Sequence, residues 1–317
     1  MLPVITLTPN PAVDISAAAT SIAPTEKVRC HAARRDPGGG GINVARVITR
    51  LGGNVTAIFP AGGSCGSELV SLLAQEHVAT RPLKIAGQTR EDFAILDEAA
   101  RQQYRFVLPG PTLSQPEWRQ CVTATEDASP GGLCCASGSL PPGVPSDFYA
   151  HVAEAADRAG QKTFLDTAGD ALREAIGAPL YLIKPNLKEL GGLLGTELST
   201  EDSQLAACRS LLERSRIQAI ALTLGAQGAI LVTRQMALRA KSASINPLSA
   251  VGAGDSFMGG LIWAIASQMD LPDALRYATA SGMAAVLTEG TELCRAADVH
   301  RLCHEVSITD LSACCVG

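Results

Sequence analysis

No apolar run in the 317 residues approaches the ~20 residues that a membrane-spanning helix needs. Aromatic side chains make up only 4% of the chain, too few for a base-stacking platform on single-stranded nucleic acid. Basic residues are not in excess: the net charge is -5 and charged residues amount to 18%, so neither a nucleic-acid surface nor an acidic tail is expected. The opening residues, MLPVITLTPNP, carry neither a basic region nor a long apolar segment, and no signal peptide is expected. None of the ten cysteines forms a C-x-x-C pair. Two pairs are adjacent, Cys134-Cys135 and Cys314-Cys315, which suits neither an ordinary disulfide nor a zinc knuckle. Thiols scattered in this way fit a reduced, cytoplasmic protein, and a redox or metal role is not expected of them. There is no internal repeat and no low-complexity linker, so residues 1–317 are read as one unit.

What is present is short apolar runs of Ala, Leu and Val, part of a 46% apolar content. They alternate between strand and helix patterns. Strands are expected at Val4–Thr8, Val55–Pro60, Leu133–Ser137, Thr163–Asp166, Leu180–Ile183, Ala219–Leu224 and Gly228–Thr233. Helices are expected at Ile42–Leu51, Gly66–Gln75, Pro116–Glu126, Ser146–Ala159, Ala171–Ile176, Leu187–Leu194, Asp202–Arg214, Phe257–Ser267 and Pro272–Leu287. Such alternation predicts an α/β fold, a mainly parallel sheet covered on both faces. Two β-rich stretches, about 12–36 and 87–108, interrupt it and read as one accessory sheet inserted twice. Polar residues gather after the strands: Asn10 and Asp14, Ser137-Gly138-Ser139, Asp166, Lys184-Pro185-Asn186 and Gly225. Ligands of open α/β sheets bind at those strand ends.

Three motifs carry chemistry. Gly252-Ala253-Gly254-Asp255 precedes an apolar helix. Glycines there leave the first amides unshielded, which suits a phosphate or a developing negative charge. A carboxylate beside them is placed to take a proton from a hydroxyl, and the pairing points to phosphoryl transfer to an alcohol. The plain structural reading is a helix cap, since Asp is a preferred N-cap residue and glycines are common before helices. Gly38-Gly39-Gly40-Gly41-Ile42-Asn43 is the second. Asn43 stands where a dinucleotide fingerprint needs its third glycine and no clear strand precedes, so a Rossmann cofactor is rejected. Close approach of backbone to a ligand remains, against a flexible turn. Third, Asn186 and Glu189 have capping-box spacing. The same spacing would also hold the water shell of Mg²⁺, with Lys184 adding positive charge. Lys27, Arg90 and Arg105 in the accessory stretches read singly as surface charge, and as a set they would clamp a substrate phosphate.

In this order and spacing the motifs resemble the ribokinase-like, PfkB-type carbohydrate kinases over residues 1 to about 305. The carrying stretches are Gly38–Arg46, Lys184–Glu189 and Val251–Ser256. Phe59–Gly63, Gln103–Val107, Ser137–Val144 and Gly282–Cys294 resemble the minor bacterial 6-phosphofructokinase type. The resemblance implies a three-layer α/β/α sandwich with a small β-sheet lid, and a homodimer formed through the lids. It implies Asp255 as catalytic base and Gly252, Ala253 and Gly254 as anion hole. Asp14, Gly39, Gly40 and Asn43 would hold sugar hydroxyls; Lys27, Arg90 and Ser139 would hold the sugar's existing phosphate. Lys184, Asn186, Lys188, Thr223, Gly225, Gly228, Ser249, Thr279 and Met283 would line the ATP site. Mg²⁺ would sit near Asn186 and Glu189 through water. A K⁺ loop would use carbonyls of Ser249, Val251, Ala285, Thr288, Gly290 and Glu292.

The chain departs from the resemblance in three places. Asp92 stands where an amide is usual, Ala23 where an aromatic is common, and the tail after Arg301 has no counterpart. The function implied is ATP- and Mg²⁺-dependent phosphorylation of fructose 6-phosphate at its 1-hydroxyl. Its rivals are tagatose 6-phosphate or fructose 1-phosphate as acceptor, a catalytically silent sugar-phosphate sensor, and a thiol oxidoreductase. Neither nucleic acid nor membrane is expected as a partner.

Overall fold

A computed structural model describes residues 1–241, 245, 251–288 and 292–312. In chain order the strands are β1 Val4–Leu7, β2 Ala12–Ala19, β3 His31–Gly38, β4 Val55–Ala61, β5 Ala79–Lys84, β6 Arg90–Asp97, β7 Gln102–Phe106, β8 Leu133–Ser137, β9 Lys162–Asp166, β10 Leu182–Ile183, β11 Ala219–Thr223, β12 Ala229–Thr233, β13 Ala237–Lys241 and β14 Ser307–Asp310. The helices are α1 Gly40–Arg50, α2 Gly63–Gln75, α3 Gln115–Glu126, α4 Phe148–Arg158, α5 Gly169–Ala175, α6 Leu187–Leu194, α7 Glu201–Arg214, α8 Ala253–Ala266, α9 Leu271–Val286 and α10 Ala296–Cys303.

The main sheet runs β14-β13-β12-β11-β10-β9-β8-β1-β4-β5. From β5 to β11 it is parallel; β12, β13 and β14 add antiparallel pairs. Alternate strand residues serve opposite faces. Val4, Leu133, Cys135, Phe164, Ala219 and Ala221 join the core under α1, α2, α8, α9 and α10. Ile5, Leu7, Cys134, Ala136, Leu165, Ile220 and Leu222 join the core under α3 to α7. Three layers result. The neighbouring thiols Cys134 and Cys135 are thereby sent to opposite sides of the sheet, and burial pushes both up, that of Cys134 to about 12.

A second sheet, ordered β3-β2-β6-β7, stands apart. The β2–β6 pair is parallel, with Asp14 beside Asp92, and the outer pairs are antiparallel. Its β7 edge carries exposed apolar side chains: Phe106 is 55% and the adjoining Val107 59% accessible.

Three strands and one helix escape the sequence patterns. β5 is an edge strand with Pro82 in it and only Leu83 buried, so it lacks alternation. β13 contains Arg239, buried by bonds to Glu201 and to the carbonyls of Gln227 and Ala229. α10 and β14 extend the chain past the recognised motifs, and β14 closes the antiparallel edge. A strand, β3, does lead into the glycines at 38–41, contrary to the sequence expectation. It belongs to the small sheet, so the glycines still do not join a parallel strand to its helix. No helix among the described residues is long and apolar enough to cross a membrane.

Candidate active site

The two sheets meet over a cleft of about 690 Å³. Its floor is the start of α8. Gly252 caps that helix in the left-handed region, φ 74°, and a side chain there would also strike Leu293 at 2.6 Å. The first intrahelical bond is Ser256 N–H to the Gly252 carbonyl, so the amides of residues 253–255 have no intrahelical acceptor. Val251, Gly252, Gly254 and Asp255 line the cleft. A β-carbon on Gly254 would meet Lys184 Nζ at 3.3 Å.

Asp255 accepts a hydrogen bond from Asn43 Nδ2 at 2.8 Å. Burial, and then the nearby Asp166 carboxylate, raise its carboxyl from 3.8 to about 6; Asn43, Lys184 and Arg105 oppose the rise. Lys184 is 7% exposed and pairs with Asp166 at 3.1 Å. Burial pulls the ammonium down, but Asp166, Asp255 and Glu189 outweigh it and hold it above its usual range. The acid and the lysine are thus both poised for charge work at neutral pH.

At the other end, Arg90 donates to the carbonyls of Leu108 at 2.7 Å and Asn10 at 3.2 Å, and pairs with Asp92 at 3.1 Å. Asp92 also accepts from the Leu108 amide, 2.9 Å. Burial pushes Asp92 up. Asp14 is raised to about 6, by burial first and then by the charge of Asp92 across the β2–β6 ladder. The Arg90 Nε is buried with no partner among the described residues.

The cleft brings together Asp14, Gly39, Gly40, Asn43, Arg90, Ser139, Lys184, Glu189, Val251, Gly252, Gly254 and Asp255. Ala253 lies between two of them as the first residue of α8. Lys27 is not among them: it is exposed in the connection between β2 and β3. The glycines at 38–41 also allow close packing within the protein, besides lining the cleft at 39 and 40. A β-carbon on Gly38 would meet the Asp14 carboxyl at 2.3 Å, on Gly40 the Ser137 hydroxyl at 2.2 Å, and on Gly41 the Thr8 hydroxyl at 2.6 Å. These positions are small because protein atoms fill the space.

Asn186 and Glu189 do form the capping box: Glu189 N–H donates to Asn186 Oδ1 and Asn186 N–H to Glu189 Oε2, each 2.9 Å. Glu189 reaches the cleft; Asn186 and Lys188 are exposed. Thr223, Gly225 and Gly228 lie beside them, for Asn186 bridges Thr223 and the Thr223 amide donates to the Pro185 carbonyl. Thr279 and Met283 are buried on α9, with the Thr279 hydroxyl bonded to the Leu275 carbonyl. In the candidate K⁺ loop the Thr288 hydroxyl lies against the carbonyls of Ala285 and Glu292. Ser249 and Gly290 lie outside the described residues.

Asp166 was given no role from sequence, and Arg105 only a share in the phosphate clamp. Asp166 is visible there only as a polar residue after a strand, and its pairing with Lys184 needs the fold. Arg105 contributes charge from β7 to both Asp14 and Asp255.

The model of pfkB family carbohydrate kinases matches residues 2–298. The ATP-dependent 6-phosphofructokinase isozyme 2 of Mycobacterium tuberculosis is 44% identical over 299 residues, 94% of this chain and 88% of that one. The phosphofructokinase-2 of Escherichia coli, solved in complex with potassium, superposes with a TM-score of 0.92 at 37% identity, over 96% of this chain and 99% of that one. The same enzyme in complex with fructose-6-phosphate superposes at 0.91 and 36% identity, with the same coverage. With that match across nearly its whole length, and the acid held at the mouth of a helix beneath a second sheet, the chain belongs to the pfkB family of carbohydrate kinases.

Proposed function

We propose that this protein is an ATP-dependent 6-phosphofructokinase, transferring the terminal phosphoryl group of ATP to the 1-hydroxyl of fructose 6-phosphate. The observation that carries the reading is Asp255 at the start of α8, bonded to Asn43 and opening on a cleft that Arg90 and Arg105 also line. Asp255 takes the proton of the attacking hydroxyl; a carboxyl near 6 is ionised at neutral pH yet basic enough for that task. The amides at 253–255 and the positive end of the helix steady the charge on the phosphoryl group in flight. Asp14, Gly39 and Asn43 orient the sugar. Arg90, Arg105 and Ser139 receive the 6-phosphate. Lys184, Lys188, Thr223, Gly225 and Gly228 serve the nucleotide end with Thr279 and Met283.

The Glu189 carboxylate uses one oxygen for the Asn186 amide and has no bonded partner for the other among the described residues, which suits a water of a magnesium shell. Bound magnesium would offset charge on the ATP phosphates. The carbonyls of Ala285 and Glu292 are oxygen donors of the type a potassium ion takes. Fructose-6-phosphate and potassium in the solved relative support the sugar-phosphate and potassium assignments. The exposed Leu96, Tyr104, Phe106, Val107 and Leu108 support a homodimer in which the small sheets act as paired lids. A cytoplasmic location is part of the same reading.

The test is ADP release with a panel of phosphorylated ketohexoses, scored by kcat/KM. Fructose 6-phosphate should lead; a clear preference for fructose 1-phosphate or tagatose 6-phosphate would overturn the substrate assignment.

A further inference from the structure

Among the described residues Arg46 is the largest wholly buried side chain, 1% exposed in the middle of α1. A buried guanidinium is costly unless every donor is matched. Here Nε and Nη2 both donate to Glu76 Oε1, at 2.9 and 2.6 Å. Nη1 donates to the Pro37 carbonyl at 2.8 Å and to Asn43 Oδ1 at 3.2 Å. Glu76 is itself anchored through Oε2 by Arg50, which also donates to the Leu293 carbonyl.

The bond to Asn43 has a directional consequence. A guanidinium has donors only, so it accepts nothing but the amide oxygen as a neighbour. With Oδ1 committed to Arg46, the Asn43 NH₂ must face the other way, and there it donates to Asp255 Oδ2 at 2.8 Å. A flipped amide would set an oxygen against the carboxylate. We propose that Arg46, clamped by Glu76, is a positioning residue for the reaction: it fixes the Asn43 amide so that its NH₂, and not its oxygen, meets Asp255. The proposal rests on the reading of Asp255 as the base. The other groups facing Asp255 are Asp166 from β9, Lys184 after β10, Arg105 from β7 and the Cys135 thiol of β8. Arg46 bonds to none of them, so its effect on Asp255 runs through Asn43; its charge also lowers Asp14 directly, a path that the Asn43→Ala background leaves intact and so separates.

The experiment is the pH profile of kcat/KM for fructose 6-phosphate, whose acid limb reports the free base. Arg46→Met combined with Glu76→Gln removes the buried Arg46–Glu76 pair; Arg50 loses its carboxylate but is partly exposed and keeps the Leu293 carbonyl. Its acid limb should move up by about one pH unit, and kcat at neutral pH should fall about tenfold, with the KM for ATP unchanged. In an Asn43→Ala background the same pair should move the limb no further, because the link is already cut. Arg46→Lys keeps the charge but loses the planar fork, and serves if the double variant does not fold; it should move the limb in the same direction. An unmoved limb in a folded Arg46 variant, or an equal movement in the Asn43→Ala background, overturns the proposal. Asp255→Asn, run alongside, separates the two levels. If it turns over like the wild type, the base reading itself falls; if it is inactive while the limb stays put, only the role of Arg46 falls.

Discussion

Asp255→Asn should make the protein more stable at neutral pH while nearly abolishing turnover. The Asp255 carboxyl is raised from 3.8 to about 6 by burial and by Asp166. Below pH 3.8 the proton is held in both the folded and unfolded states, and the group's contribution to stability is complete. As pH rises from there through about 6 the folded state keeps a proton that the unfolded state has released, and the contribution is lost. Above pH 6 the native protein carries a charge its surroundings disfavour, by up to roughly 3 kcal/mol for a shift of this size. Asparagine removes that charge and keeps an oxygen to accept from Asn43. It gives up the attraction of Lys184, so a net gain of about 1–2 kcal/mol is expected at pH 8. Ligand-free thermal melts of both proteins at pH 8 and at pH 4.5 measure it. The variant should melt higher at pH 8, and the difference should shrink at pH 4.5. A variant no more stable than wild type at pH 8 would refute the claim that this acid is held against its environment.

Arg90→Ala should raise the KM for fructose 6-phosphate far more than that for ATP, since Arg90 sits at the end of the cleft away from α8; steady-state kinetics against each substrate checks this. Asp92→Asn should lower the sugar-phosphate KM a few-fold, because it keeps an acceptor for the Leu108 amide while freeing Arg90 from its ion pair. The same change should move the Asp14 titration down, as the Asp92 charge helps raise it, and NMR of the carboxyl follows this directly. Gly252→Ala should cost about 1–3 kcal/mol in denaturant unfolding, from the left-handed φ and the Leu293 contact together.

The parallel core was legible because its strands are short apolar runs punctuated by glycine and polar residues. β5 and β13 were not: one keeps a proline at a sheet edge, the other buries an arginine whose partners are remote in sequence. The glycines at 38–41 were conspicuous, yet sequence could not show that, besides lining the cleft at 39 and 40, they pack against Thr8, Asp14 and Ser137. Asp255 was found because carboxylate, glycines and helix start are adjacent in the chain. Asp166 pairs with Lys184, and Arg46 with Glu76 thirty residues away, and such pairings appear only when the sheet and helices assemble. Lys27, grouped with Arg90 by charge, is exposed and outside this chain's cleft, because charge in an inserted loop does not say which way the loop faces.

The account's central claim is best tested by ADP release from ATP and fructose 6-phosphate with Asp255→Ala, with ATP binding followed in parallel by calorimetry. The account predicts a kcat lower by about 10²–10⁴-fold with ATP affinity retained. A kcat close to that of the wild type would contradict it.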